Sequence, residues 1–320
     1  MEARADLRTF SAFVLELYER SQVLDPVDLL HWSIDSLGAT TACDANWGGW
    51  ADLSYDAIEI CGSVSRNLPP DFVKFWSDIK HEDLLARDFI ETGCAYPTYS
   101  RQGTRHTPGM VALSDRYNID KFSTIVVDNK RLPVMLFMSC YRSGRSARPL
   151  AEDELRFLRA ALDHVELAVE RKALGGPDGK HLLVNESGRV LAASPETLRA
   201  LRDVWPGWKG DRLPARPPRH SSRQIVSIEK VRFEIQLASQ LADPHLYYVR
   251  LLGKDPCDNL TLRERQIVAH IADGLTHKEI ARHLGISPAT VRNHTQAVLT
   301  KLGARNKAAL LKLIHSAAAG

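Results

Sequence analysis

Arg292, Asn293 and Gln296 fall within about one turn of a helical pattern and make a strip of groups suited to reading nucleobases. A guanidinium matches guanine O6 and N7 bidentately, and the amides of Asn and Gln suit adenine, so the strip is chemically fit for a major groove. Val291, His294, Val298 and Leu302 recur at three- and four-residue spacing on the other side and face a small core, with His294 at its edge. The plainer alternative is a helical interaction module whose polar strip is merely solvated. Catalytic arrangements are missing: there is no G-x-S-x-G, H-E-x-x-H, G-x-x-x-x-G-K-[ST] or G-x-G-x-x-G. The twelve His residues show no metal-ligand spacing. No early acidic cluster with a later Lys marks a receiver domain. Cys43, Cys61, Cys94, Cys140 and Cys257 are odd in number and include no C-x-x-C, which points to buried reduced thiols in a cytoplasm, with a redox-sensing thiol as the alternative. Neither enzymatic activity, a metal nor a cofactor is expected.

The elements that position the strip are legible from their ends. Thr261 with Glu264, and Thr276 with Glu279, have capping-box spacing, in which the Thr side chain caps a backbone N–H and the Glu reaches back. Between them Ile267, Val268, Ile271 and Ala272 make one apolar face that stops at Gly274. The second helix turns Ile280, Ala281 and Leu284 inward and stops at Gly285. Ser287 and Pro288 then open a third, as N-cap and first helical residue. Helix, glycine turn, helix is a helix-turn-helix. Charge agrees with this reading. Residues 258–320 hold nine Lys+Arg and four Asp+Glu, a net of +5, whereas the remainder holds 33 against 35, a net of −2. A basic segment on a near-neutral body suits electrostatic contact with phosphates.

Leu260-Thr261-x-Arg263-Glu264, Ile271-Ala272-x-Gly274, Lys278-Glu279-Ile280-Ala281, Ile286-Ser287, Thr290-Val291-x-x-His294 and Lys301-Leu302-Gly303 together resemble the LuxR-type (LuxR/FixJ) DNA-binding domain. The resemblance covers about a fifth of the chain. It implies a four-helix domain whose third helix enters the major groove. A fourth helix, from Asn306 through Leu310, Leu311, Leu313 and Ile314, would help two copies dimerise. Carried over by position, Arg292, Asn293 and Gln296 face bases, while Thr276, Lys278, Thr290 and His294 face phosphates or brace that contact. Lys307 stands where the family often has Arg. Asn293 and Gln296 occupy positions that vary between members, so the resemblance leaves the operator sequence open.

The composition of the whole chain is that of an ordinary soluble protein, with 44% hydrophobic and 25% charged residues among 320. No apolar run of about 18 residues is present, so no membrane span is expected. The start lacks a signal-peptide core, and a cytoplasmic protein is expected. Residues 4–22 read as a helix buried through Leu7, Phe10, Val14, Leu17 and Tyr18, and a second helix starts at Pro26. Trp47–Trp50 and Leu53–Ile60 read as sheet. Helical signals cover Pro70 to Thr92, followed by a loop to Ser114. Phe122–Val127 and Leu132–Tyr141 read as a hairpin joined at Asp128–Arg131, and a long helix runs from Glu152 to Lys172.

This helix–sheet–helix order over residues 1–174 resembles a GAF-like sensor domain, which implies a small-molecule site on one face of the sheet. Trp47, Trp50, Tyr55 and Trp76 either line that pocket or belong to the core. Trp76 and Asp83 sit in a stretch comparable to the lactone pocket of acyl-homoserine lactone receptors, but Leu84 follows Asp83 where Pro is usual, so that ligand is not assigned. Gly175–Gly179 marks a boundary. Beyond it, residues 180–252 read as two strands, a helix from Ser194, and strands at 224–229, 231–237 and 245–252, resembling a shortened PAS domain. Residues 253–259 link it to the helix-turn-helix domain at 258–320. The class expected is α+β with an all-α C-terminal domain. Its function is DNA-binding transcriptional regulation, under control of a front half that is a small-molecule sensor, an enzyme-like domain or a protein-docking module. The expected partners are double-stranded DNA, a second copy of the chain, an unidentified small molecule and RNA polymerase, with no membrane.

Overall fold

The structure is a computed structural model that describes residues 6–53, 58–128, 132, 134–175, 181–217, 223–228, 231–239, 242–254 and 259–311. Two compact units divide the chain: Met1–Ser222 with Gln236–Val249, and Arg223–Ile235 with Arg250–Gly320.

The first unit opens with helices α1 (Leu7–Val23) and α2 (Pro26–Thr40), capped by the Asp6 and Asp25 carboxylates. A five-stranded antiparallel sheet follows, built from β1 (Ala45–Asp52), β2 (Glu59–Arg66), β3 (Thr98–Ser100), β4 (Ile119–Asp128) and β5 (Val134–Ser143), in the order β2-β1-β5-β4-β3. Helices α3 (Phe72–Ile79), α4 (Leu84–Thr92) and α5 (Pro108–Tyr117) interrupt it, and α6 (Glu152–Leu174) closes it. Side chains alternate across a strand, so each strand serves two layers. Ala45, Trp47 and Ala51 of β1 pack with Phe72 and Trp76 of α3, Leu84 and Leu85 of α4, and Met110 and Leu113 of α5. On the opposite face a Cβ on Gly48 would lie 2.4 Å from Ile34 Cδ1, so the missing side chain is what admits α2. Helices α1, α2 and α6 pack on one another. The expected helix–sheet–helix order is found.

Four local expectations shift. In α1 Phe13 and Leu17 are buried and Phe10, Val14 and Tyr18 half-buried, while Leu7, the first residue of the helix, is 79% exposed. The second strand begins at Glu59 and continues through Cys61-Gly62-Ser63-Val64-Ser65, not over Leu53–Ile60; positions 54–57 lie outside the described residues. The helical stretch after Pro70 breaks at a 3-10 turn, Lys80–Glu82, and Asp83 restarts it as the N-cap of α4. The expected loop to Ser114 contains β3 and α5, the latter opened by a Thr107 cap and Pro108. The Asp128–Arg131 turn lies largely outside the described residues.

Further on come β6 (His181–Asn185), β7 (Val190–Ala193), α7 (Pro195–Val204), β8 (Gln224–Ile228), β9 (Val231–Ser239) and β10 (Leu246–Lys254), with β6 antiparallel to β7 in the first unit and β8 antiparallel to β9. Within the first unit this region joins the first sheet in two places. Ser63 and Asp243 exchange backbone N–H···O bonds of 2.9 and 3.0 Å. Arg189, buried before β7, pairs with the equally buried Asp52 at the end of β1, and with Asp211 at 3.2 Å.

In the second unit α8 (Leu262–Ala272), α9 (His277–Leu284) and α10 (Pro288–Lys301) surround a small core of Ile267, Ile271, Ile280, Val291, Val298 and Leu310. The chain is helical again at 307–311, where the Asn306 side chain accepts from Ala309 N at 2.8 Å. Leu313 and Ile314 of the expected fourth helix lie outside the described residues.

Candidate functional site

Both capping boxes form. Thr261 Oγ1 accepts from Glu264 N at 3.3 Å while the Glu264 carboxylate accepts from Thr261 N at 2.7 Å, and Thr276 with Glu279 repeats the geometry. Gly285, at φ 64°, ends α9 in the left-handed region, where a side chain is disfavoured. Ser287 Oγ accepts from Thr290 N at 3.1 Å and starts α10. These local devices fix where α10 begins and how it rotates.

Rotation sets the site. Val291, Thr295 and Val298 are buried, and Arg292, Asn293 and Gln296 are exposed on the other side. The inward face differs in one residue from the expected one. Thr295 joins it, hiding its hydroxyl on Val291 O at 2.8 Å and packing as a methyl group, while His294 is half-buried at the edge, where it was expected. Leu302 is only half-buried. Thr290 shares its hydroxyl with Ser287 Oγ at 2.8 Å. Thr276 is exposed, with its hydroxyl donated to Glu279 at 2.7 Å, and Lys278 is exposed beside it.

Three cations counted in the charge of this segment have structural work instead. Arg263 donates to Leu284 O at 2.7 Å and Lys307 to Leu275 O at 3.1 Å, satisfying carbonyls near the ends of α9 and α8. Lys301 Nζ lies 2.7 Å from the Glu264 carboxylate, tying the end of α10 to the start of α8. Spacing within one helix gave no sign of that pairing. The Lys301 ammonium, followed by the Thr261 N–H, holds the Glu264 carboxyl down at about 2, against an ordinary 4.5. A carboxyl depressed on folding stabilises the fold above its unfolded value. The contribution is therefore complete above pH 4.5 and is lost as the pH falls towards 2. Glu264→Gln should flatten acid unfolding in this window when helicity is followed against pH; an unchanged acid transition would deny Glu264 this role. Lys278, Arg282, Arg292 and Arg305 are exposed.

The first unit holds a second candidate, a cavity of about 60 Å³ between its sheet and α3–α5. Phe122, Thr124 and Val126 of β4 and Met135, Phe137, Ser139 and Tyr141 of β5 make its floor, and Trp47, Trp76, Asp83, Leu85 and Phe89 are among its walls. Trp47 stands edge-on to Trp76 at 4.9 Å and to Phe137 at 5.0 Å between ring centres. Polar groups are few and mostly engaged. Asp83 Oδ2 accepts from Trp76 Nε1 at 2.8 Å, and Oδ1 accepts from Leu85 N at 2.8 Å. Burial nonetheless pushes the Asp83 carboxyl above its ordinary range. Thr124 and Ser139 pair their hydroxyls at 2.8 Å. The Trp47 Nε1 donor is buried with no hydrogen-bond partner among the described residues.

Of the aromatic set expected here, Trp47 and Trp76 come together. Trp50 is buried on the opposite face, because three steps along a strand reverse the side. Tyr55 lies outside the described residues. The floor residues went unnamed at first, although their period-2 spacing within two strands already read from the sequence was the signal for them.

Residues 258–314 match the profile of the family described as bacterial regulatory proteins, luxR family. The probable transcriptional regulatory protein SgaR of Hyphomicrobium methylovorum is 42% identical over 65 residues, which is 20% of this chain and 31% of that protein. The transcriptional regulatory protein UhpA of Salmonella typhimurium is 51% identical over 49 residues, 15% of this chain and 25% of UhpA. The chain thus spans about a third or less of the length of these relatives. Among solved structures, SdiA in complex with octanoyl-rac-glycerol aligns over 96% of this chain and 95% of its own, at 13% identity and a TM-score of 0.43. The GAF domain from Acinetobacter phosphoenolpyruvate-protein phosphotransferase aligns over 54% of this chain and 97% of its own, at 14% identity and a TM-score of 0.36.

Proposed function

We propose, on the premise that residues 258–314 belong to the luxR family of bacterial regulatory proteins, that this chain is a sequence-specific DNA-binding transcriptional regulator. The observation that carries the reading is the exposed Arg292-Asn293-Gln296 strip, opposite the buried Val291, Thr295 and Val298 of α10. Arg292, Asn293 and Gln296 contact base edges, while Thr276, Lys278, Thr290 and His294 contact or brace the phosphates. Two copies bind as a homodimer, so two-fold related half-sites are expected, with RNA polymerase as the further partner and the cytoplasm as the location. Arg292→Ala should cost about 1–3 kcal/mol on the preferred site and relax discrimination at one base pair. An equal loss on every duplex, measured by competition between site variants, would remove the base-reading role.

Control comes from a small molecule held in the aromatic cavity. A largely apolar lining with a few converging polar groups suits such a ligand, and the unpartnered Trp47 N–H gives it one anchoring donor. Trp47→Phe keeps an aromatic ring and removes that donor. Less small molecule should then copurify with the variant in native mass spectrometry; equal retention by both proteins would count against an anchoring Trp47.

A further inference from the structure

The cavity of the first unit carries a charge that its walls do not answer. Six aromatic side chains line it: Trp47, Trp76, Phe89, Phe122, Phe137 and Tyr141. They meet at steep angles and make corners, not a stack. Trp47 stands at 67° to Trp76 and at 78° to Phe137, and Phe122 is tilted by 46° from Tyr141 at 5.4 Å between ring centres. Asp83 is the acidic wall residue, and no Lys, Arg or His stands with it among the described residues of the lining. The groups acting on its carboxyl are Trp76, Leu85, Ala86 and Asp88, with no cation among them.

The oxygens of Asp83 are engaged as hydrogen-bond acceptors, while its charge is not. Oδ2 accepts from Trp76 Nε1 at 2.8 Å, and Oδ1 accepts from Leu85 N at 2.8 Å and from Ala86 N at 3.2 Å. Those bonds cap α4 and hold the Trp76 ring, yet they leave a carboxylate in a largely apolar wall, where burial pushes it above its ordinary range. An opposite charge placed beside it offsets that cost. Resting on the reading above that this cavity holds a small molecule, we propose that its ligand is a small quaternary ammonium compound, with a trimethylammonium head against the aromatic walls beside Asp83.

Each other class of ligand lacks something this wall requires. The faces of aromatic rings attract cations, Trp most strongly, and the attraction grows as water is excluded. A quaternary ammonium has no N–H, so it uses the charge of Asp83 without needing the lone pairs held by Trp76, Leu85 and Ala86. A primary ammonium brings three N–H donors, which these engaged oxygens serve poorly. An anion would meet a carboxylate and no cation. Size agrees as well. About 60 Å³ suits a compact head group and not a long chain, whereas pockets for drug-sized ligands run to roughly 300–1,000 Å³. A short arm ending in an oxygen acceptor, as in an amino alcohol, then reaches the unpartnered Trp47 N–H.

The test titrates the full chain with three probes by isothermal calorimetry at neutral pH. Choline is the first. Its neutral carbon isostere, with a tert-butyl group in place of trimethylammonium, keeps the shape and drops the charge. Ethanolamine keeps the charge and adds N–H donors. Choline should bind at least about tenfold more tightly than either of the others. In Asp83→Asn that preference over the isostere should disappear; a preference that survives in the folded variant would overturn the proposal. The unsubstituted chain alone decides the matter if the variant does not fold. Equal affinity for choline and its isostere, or a preference for ethanolamine, would overturn the proposal and still leave a small-molecule cavity in place. Binding of no probe would overturn it too, and native mass spectrometry then separates the two readings. A different small molecule retained by the chain keeps the cavity as a sensor site, and none retained removes that reading as well.

Discussion

Asp52→Asn is expected to lower the stability of the first unit by about 3 kcal/mol, the lower end of what breaking a buried ion pair costs. The side chains of Asp52 and Arg189 are 0% and 2% exposed, so neither charge can turn to water once its partner is gone. Asp211, at 29% exposure, keeps a hold on the same guanidinium, which places the cost at the low end. The loss is larger than that of any exposed pair on this chain, such as Arg20–Glu16, for which about 0–1 kcal/mol is usual. The position also has a functional consequence. Asp52 precedes Leu53, a wall residue of the aromatic cavity, so freeing the end of β1 should weaken ligand retention as well. Chemical denaturation of the single variants and of Asp52→Leu combined with Arg189→Met separates the effects. The account predicts that each single change destabilises and that the apolar double change recovers much of the loss; single changes within about 0.5 kcal/mol of the parent would contradict it.

Ile271→Ala should abolish the proposed DNA binding without altering any residue of the proposed DNA-reading strip. Ile271 is fully buried at the centre of the α8–α9–α10 core, and removing its branched side chain costs about 2–5 kcal/mol. A core of this size has little in reserve, so a loss of that order approaches the whole stability of such a domain. The orientation of α10 depends on this packing, and the proposed base-reading strip of Arg292, Asn293 and Gln296 keeps its exposed face only while Val291 and Val298 are held against Ile271 and Ile280. Duplex binding by fluorescence anisotropy, with limited proteolysis of the same samples, checks it. Binding should vanish as α8–α10 become cleavable. Retained affinity with retained protease resistance would show that the core does not set the strip.

The helix-turn-helix was readable because its determinants are local: two Thr/Glu boxes, Ser287 with Pro288, and glycines at 274 and 285. Where the reading slipped, a local rule had a competitor. Thr295 went unread because a hydroxyl at a buried position is polar by type, yet its own helix satisfies it. The net charge treated Arg263, Lys301 and Lys307 as available to phosphates, whereas tertiary contacts engage all three. Strand β2 was obscured by Cys61-Gly62-Ser63, a poor strand sequence. Its small residues answer to a neighbour far along the chain, since a Cβ on Gly62 would lie 2.6 Å from Leu246. The Asp52–Arg189 pair joins residues more than a hundred positions apart, and no periodicity announces such a partner.

The most direct test of sequence-specific DNA recognition is selection and sequencing of duplexes bound by the full chain from a random pool at near-physiological salt, with and without Arg292→Ala. The account predicts enrichment of a two-fold symmetric motif, with one position in each half-site losing its preference in the variant. Recovery of an unselected pool, falling in yield with salt but carrying no motif, would contradict it and leave only electrostatic contact with phosphates.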